Sequence, residues 1–397
     1  MSAADSMKHE IAACINCGFC ESVCPTFQAS GARASYGARG RVILAGEILK
    51  GNLEGCSDPF FSCLDCFACA EVCPAGVNAG IVSGFAKRML SSQGMAPPLA
   101  MAMERMIVRY NSVLPAGRRM GRWARDLHLP SDGETLLYTG QMYQLMSYSG
   151  RISSIMSRYR KTAHLLSSFQ KYLPQASYLL LLLNDRKQQC RMIAALRSIV
   201  LLLKSAGIDF AYADDEPYPG TLLNDYGFEE SFRLYARRTV EFFRKHGARR
   251  IVTVDPHTYD LIRNVYPKYV QDFDFEIVHY LELVDNLKIR RLAEEVTVHE
   301  PCHLVRRHRD PALLRRLVEK VAIPAYPLKN GRNTMCCGGP DEFLYSEIGH
   351  HVLEKREGQL AETGSGRIVT ACPVCLWRMG NVNAEDIGQL LYRQSES

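Results

Sequence analysis

The sequence predicts an α+β molecule, with an α-helical, cysteine-rich head followed by an α/β body built as an internal repeat. Three observations carry this. A run C-x2-C-x2-C-x3-C-P occurs twice before residue 75. Beyond about residue 130, apolar runs alternate with long amphipathic segments, the pattern of α/β layers. "RIVTVDPHTYDLI" at 250–262 is matched position for position by "RIVTACPVCLWRM" at 367–379.

Composition bounds the function. The 397 residues are 47% hydrophobic, ample for ordinary cores, and the formal charge of +6 includes no block of five or six like charges, so nucleic acid is not an expected partner. Arg118-Arg119 and Arg306-Arg307-His308-Arg309 read as solvated faces. "MSAADSMKHEIAAC" lacks an apolar core of signal-peptide length. "YLLLLL" at 178–183 and "IVLLL" at 199–203 fall far short of the roughly 18 residues of a membrane span. The expectation is a cytoplasmic chain, peripheral at the inner face of a membrane only through a partner subunit.

Fifteen cysteines without an export signal point to metal ligands before disulfides. Thirteen fall into three groups, leaving Cys56 and Cys190 as buried or incidental thiols. The first two groups are "CINCGFCESVCP" (Cys14, Cys17, Cys20, Cys24) and "CLDCFACAEVCP" (Cys63, Cys66, Cys69, Cys73). Three thiolates at this spacing wrap one face of a [4Fe–4S] cube, and the fourth, carried into the next turn, reaches the other cube. The expected sets are Cys14, Cys17, Cys20 with Cys73, and Cys63, Cys66, Cys69 with Cys24. A zinc ribbon would leave the third cysteine of each run without purpose. Pro25 and Pro74 suit a chain turning away from each cluster. Between the runs, "SYGARGRVILAGEILKGN" reads as a helix, and its "GxRGR" stretch resembles the head of the iron–sulfur subunits of glycolate oxidase, anaerobic glycerol-3-phosphate dehydrogenase and heterodisulfide reductase.

A helical connector near 97–130 leads into the body. Strands are expected at "ETLLYTG" (134–140), "DFAYADD" (209–215) and "RRIVTVD" (249–255), with a helix over "EESFRLYARRTVEFFRKHG" ending at Gly247. "EEVTVHEP", the approach to "TMCCGG", and "GRIVTACP" repeat the order. Overlaying the halves sets Cys372 on Asp255, Cys375 on Thr258, Cys336-Cys337 on Tyr218-Pro219 and, given an insertion between about 145 and 190, Cys302 on Gln141. The first half retains none of the five cysteines.

Cys302, thirty-three residues, Cys336-Cys337, thirty-four residues and Cys372-x2-Cys375 resemble the five-cysteine CCG motif of the B and D subunits of heterodisulfide reductase. The resemblance implies a non-cubane [4Fe–4S] cluster held by these five thiolates, beside the two cubanes. Gly338 and Gly339 suit the backbone bend that adjacent ligands demand. The B subunit carries two such clusters; this chain can build one, because Asp255, Thr258, Gln141, Tyr218 and Pro219 cannot replace thiolates around iron. The emptied half reads as a structural partner, with Tyr218 or Asp255 lining a pocket as the alternative. His299 and His303 flank Cys302 and are candidate proton donors; His257 and His279 read as structural.

The expected domains are 1–95 (ferredoxin-like, two clusters), 96–132 (connector), 133–290 (degenerate CCG-type half) and 291–397 (complete CCG-type half). No dinucleotide fingerprint opens a strand–turn–helix, so flavin and NAD belong to partners. Two readings stay open. One is a heterodisulfide-reductase-like subunit performing thiol/disulfide or quinone-coupled chemistry, with a flavoprotein or membrane cytochrome-b-like partner. The other is an electron-transfer subunit of a flavoprotein glycolate/lactate or glycerol-3-phosphate dehydrogenase, passing electrons to quinone.

Overall fold

A computed structural model describes residues 3–158, 174–291 and 293–395. In the head, helices Ala3–Ala13, Ala38–Leu49 and Ala79–Ser92 pack on one another beside the two cysteine runs. The last is N-capped by Asn78, whose side-chain oxygen accepts from Gly80 N at 3.1 Å and Ile81 N at 3.2 Å. Gly40 cannot be replaced cheaply: a Cβ there would lie 1.8 Å from Ala34 O. The two runs fold alike. Asn16 and Gly18 in the first, Asp65 and Phe67 in the second, all take positive φ (57°, 82°, 47° and 57°). Alternating left-handed residues turn successive N–H groups to the same concave side, a geometry that favours anionic sulfur.

The body holds two parallel sheets. The first has the order β1 (Thr135–Tyr138), β2 (Arg250–Thr253), β3 (Glu276–His279), with Leu136 opposite Ile251 and Ile251 opposite Ile277. The second runs β5 (Ile323–Ala325), β4 (Glu295–Val298), β6 (Ile368–Thr370), β7 (Ala384–Asp386). The central strands are buried along both faces: Ile251 and Val252 in β2, Val296, Thr297 and Val298 in β4, and Ile368 and Val369 in β6, as parallel strands covered on both faces require. Helices Met142–Arg158, Arg186–Ser205 and Ile387–Ser395 pack together on the body. The helix expected to end at Gly247 spans Glu229–Lys245, and Gly247 follows at φ 68°.

Three local expectations differ from the structure. "DFAYADD" makes only an isolated bridge, Ala211 to Leu136, because the Asp-Asp-Glu-Pro that follows turns the chain away from the edge. The approach to "TMCCGG" is a 3-10 turn at Gly331–Asn333, and the strand lies earlier, at β5. Arg306 and His308 are buried, not part of a solvated face; Arg306 is 9% and His308 6% exposed, whereas Arg309 stays in solvent. Of the insertion expected between about 145 and 190, residues 159–173 lie outside the described residues. No helix among the described residues is long and apolar enough to cross a membrane.

Several buried carboxylates make the body pH-sensitive, among them Asp386, which burial pushes up to about 6, and Glu216. Glu216 accepts from Thr139 N at 2.8 Å and from the Thr139 hydroxyl, yet burial pushes its pKa up to about 7. The folded state therefore binds the proton more tightly than the unfolded chain, and stability contributed by this group falls as pH rises from about 4.5 towards 7. Up to about 3 kcal/mol is involved. Glu216→Gln is expected to flatten that decline in thermal melts across this window; an unchanged slope would place the titration elsewhere.

Candidate iron–sulfur sites

All fifteen cysteines are free thiols. Cys14, Cys17, Cys20 and Cys73 line one recess of about 390 Å³. Cys24, Cys63, Cys66 and Cys69 line a second of about 350 Å³. The last cysteine of each run thus stands with the other run's first three. Among the described residues no three His, Cys, Asp or Glu groups are placed to share a single ion; these thiols are set around spaces.

The other five cysteines come from three chain segments. Cys302 opens the helix Cys302–Arg307, Cys372 is the N-cap of the helix Pro373–Arg378, and Cys375 lies inside that helix. Cys336 and Cys337 precede a bend made by Gly338 at φ 76°. A Cβ on Gly338 would lie 2.4 Å from Gly349 O, and one on Gly339 would lie 2.3 Å from Val374 Cγ1. The CCGG tetrapeptide therefore packs against its surroundings as only glycine permits. Cys375 and Cys337 Sγ are 3.4 Å apart. Hydrogen bonding from Cys336 holds the Cys302 thiol down to about 6, and bonds from Cys336 and Cys375 hold Cys337 well below the ordinary thiol range. Cys336 and Cys375, the donors, are raised. The five thiols form one connected, soft donor set.

Such anionic sites need cations, and the structure supplies buried ones that sequence reading missed. Arg41 is fully buried beside the second recess: it donates to Pro59 O at 2.6 Å, Thr26 Oγ1 at 3.0 Å and Ser62 Oγ at 3.1 Å, with Cys24 Sγ at 3.8 Å. Burial opposes its charge, and Cys63 and Cys24 more than offset that, so its pKa is raised. Lys87, also buried, pairs with Asp65 at 2.6 Å and donates to Cys63 O at 3.2 Å. Arg306 donates to Cys66 O at 2.7 Å and to Thr334 O. Arg356 donates to Lys329 O at 2.8 Å and Thr334 Oγ1 at 3.2 Å; burial pulls its pKa down to about 10 while Cys375 acts against that pull. The available signal was the "GxRGR" stretch for Arg41; single cations on helices gave none.

The histidines occupy distinct settings. Arg356 Nε donates to His299 Nδ1 at 3.0 Å, so the proton of the neutral ring sits on Nε2. Burial and Arg356 push the His299 pKa down to about 3, and Nε2 is buried with no partner among the described residues. His299 is therefore a fixed hydrogen-bond donor at neutral pH. His303 Nδ1 meets Asp260 Oδ2 at 3.0 Å and stacks on His257 at 4.3 Å. His257 in turn pairs with Asp225 at 3.2 Å, which overcomes burial and raises it to about 10. His279 caps the helix Tyr280–Val284. Phe67 closes this junction, its ring edge-on to His303 at 5.8 Å and under Arg307 at 4.9 Å. That packing offsets the roughly 1–2 kcal/mol a side chain costs at left-handed φ.

The positions matched to cysteines in the first half are close-packed. A Cβ on Gly140 would touch Pro219 Cδ at 3.0 Å and Thr258 Oγ1 at 3.3 Å. Tyr218 is buried with its hydroxyl on Thr221, and Asp255 caps the helix Pro256–Asp260 through His257 N at 3.1 Å and Thr258 N at 2.9 Å.

Comparison with known proteins finds two domain families along the chain. Residues 10–77 match the 4Fe-4S dicluster domain and residues 296–380 the cysteine-rich CCG domain. A probable membrane-anchored ferredoxin of Chromohalobacter salexigens is 24% identical over 411 residues, covering 91% of this chain and 55% of the relative. The D subunit of the dihydromethanophenazine:CoB–CoM heterodisulfide reductase of Methanosarcina barkeri is 21% identical over 403 residues, covering 92% and 87%. The glycolate oxidase iron–sulfur subunit of Escherichia coli is 40% identical over 68 residues, 17% of this chain and 16% of that one. The chain spans about half the length of the first of these relatives. It is an iron–sulfur protein that joins a 4Fe–4S dicluster domain to a CCG domain, homologous to the D subunit of heterodisulfide reductase and to glycolate oxidase iron–sulfur subunits.

Proposed function

We propose that this chain is the iron–sulfur subunit of a heterodisulfide-reductase-like oxidoreductase, with two cubane clusters relaying single electrons to or from a five-thiolate, non-cubane cluster that performs thiol/disulfide or quinone-coupled chemistry. Cys14, Cys17, Cys20 and Cys73 would hold the first cubane, and Cys63, Cys66, Cys69 and Cys24 the second. Cys302, Cys336, Cys337, Cys372 and Cys375 would hold the third group. The observation that carries the reading is the dry contact between the second and third sets: Leu64, Cys66, Ala68, Met335, Cys336 and Val352 form one small apolar cluster, with Cys302 packed against it. Excluding water there keeps the gap short and poorly screened, and Arg306 ties Cys66 O to the helix that begins at Cys302.

The outer set faces a partner. Cys17 is exposed among Ile15 and Phe19, which suits docking of a flavoprotein or a cytochrome-b-like membrane subunit at the cytoplasmic face. In this reading residues 1–95 are the relay, 96–132 the connector, 291–397 the reactive half and 133–290 its cysteine-free counterpart. The counterpart keeps the strand-to-helix turn: Asp255 heads Pro256–Asp260 as Cys372 heads Pro373–Arg378, but as a cap and not as a ligand.

The 40% identity over 68 residues to the glycolate oxidase subunit favours the second reading, an electron conduit from a flavoprotein dehydrogenase to quinone. Low-temperature EPR of the oxidised protein separates the two. Added thiol is expected to change the signal of the five-thiol site while both cubane signals persist; indifference to thiols would favour the conduit.

A further inference from the structure

Acidic residues are absent from two long stretches of the chain. Residues 105–125 contain six arginines and residues 141–184 five Arg and Lys, with no Asp or Glu in either. Against a total of +6, these eleven positive charges leave the rest of the chain at −5. The fold joins the described parts of the two stretches at Tyr110 and Tyr178; Arg160, Lys161 and Lys171 lie outside the described residues, and Arg118 pairs with Asp214 and Asp215. Tyr110 meets Tyr178 edge-on at 5.8 Å, Arg109 lies over the Tyr110 ring, and the turn Pro174–Leu183 packs on the helix Met142–Arg158.

That same turn carries the most exposed apolar side chains of the body's basic side. Tyr178, Leu179 and Leu182 are 52%, 65% and 74% exposed, while Leu180 and Leu181 anchor the turn to the core. Ile155, on the outer side of the neighbouring helix, is also exposed, between Arg151 and Arg158. Arg186 and Lys187 stand in solvent just beyond the turn. Aliphatic tips beside a tyrosine, bordered by arginines long enough to reach back to a charged layer, are the composition of a segment that rests in a lipid interface.

We propose that this face, formed by residues 108–110, the outer side of Met142–Arg158 and the turn Pro174–Leu183, docks directly on an anionic lipid bilayer. The leucines enter the acyl boundary, and the arginines meet the phosphate groups of the lipids. The placement relates to the thiols. The inner side of Met142–Arg158 packs on Pro373–Arg378, the helix that bears Cys375, and Ser153 Oγ donates to Glu342 O at 3.4 Å. One helix layer, about 10 Å, separates the bilayer face from that helix. A lipid-soluble electron carrier of the quinone class would then approach the five-thiol site from the membrane side; this consequence, unlike the docking, rests on the proposed iron–sulfur function.

The test is co-sedimentation of the full, anaerobically purified chain with phosphatidylcholine vesicles with and without phosphatidylglycerol, at low and high salt. Binding is expected only with phosphatidylglycerol, and salt should weaken it. Arg151→Gln and Arg158→Gln should each weaken it about fivefold, and Leu179→Glu with Leu182→Glu should abolish it, with iron content and EPR spectra unchanged. Equal binding to both vesicles, binding to neither, or wild-type binding by the leucine variant would overturn the proposal. So would sedimentation only with native membranes that is lost when their proteins are digested, because the occupant would then be a protein. Loss of iron with intact vesicle binding would count against the cluster reading alone.

Discussion

If the proposed assignment of three [4Fe–4S] groups holds, Cys337→Ser is expected to remove about four of roughly twelve irons and to leave the two proposed cubane EPR signals intact. Cys337 is the hub of its set, hydrogen-bonded to Cys336 and lying 3.4 Å from Cys375 Sγ. Serine keeps the shape but offers a hard oxygen with a far higher pKa in place of a soft thiolate. The site should not reassemble around four thiols, since its geometry uses adjacent ligands and the glycine-only bend at Gly338. Cys336→Ser should behave alike. The two recesses in the head draw their eight cysteines from other segments and should be unaffected. Iron content and spectra indistinguishable from wild type would end the five-thiol assignment.

Arg356→Met should shift downward the midpoint potential of the iron–sulfur group proposed at the five thiols, because a buried positive charge favours the more negative, reduced state. The guanidinium is coupled electrostatically to Cys375, Cys337 and Cys336, and a buried unit charge near a redox group shifts its potential by tens of millivolts, on the order of 1–2 kcal/mol at an effective dielectric of about 20. The side chain is fully buried and also holds His299 Nδ1, so the variant frees that ring as well. Arg356→Lys keeps the charge while losing the fork, and should recover most of the shift. A redox titration followed by EPR reads both. A potential unmoved in Arg356→Met, with the fold intact by circular dichroism, would show that this guanidinium does not sense the group.

Much of the site was legible in advance, and the reason is locality. The two cysteine runs set their spacing within twelve residues, so each loop's three thiols were readable without a fold. The expected crossing of Cys24 and Cys73 came from the fourth cysteine being carried into the next turn, and each lines the recess of the other run's first three cysteines. The strands "RIVT" and "IVT" were readable because unbroken apolar runs next to turn residues have few other uses. The failures were of another kind. "DFAYADD" has strand-like residues, but pairing is decided by what lies beside it, and only Ala211 finds a partner. The arginine-rich 306–309 stretch looked solvated because charge predicts exposure on average; Arg306 is instead drawn inside by Cys66 O and Thr334 O.

By itself, then, the sequence determined the number and kind of soft donors, the head-and-body order and the glycine-dependent bend beside Cys336 and Cys337. Spacing within a segment is a property of the chain. Only the tertiary structure decided which cations balance the thiols, which tautomer His299 holds, why Phe67 sits at a left-handed φ, and that the second and third thiol sets share one apolar contact. Each of these depends on groups tens or hundreds of residues apart. Charge compensation and water exclusion are sums over everything brought within a few ångströms, and that neighbourhood exists only once the chain has folded.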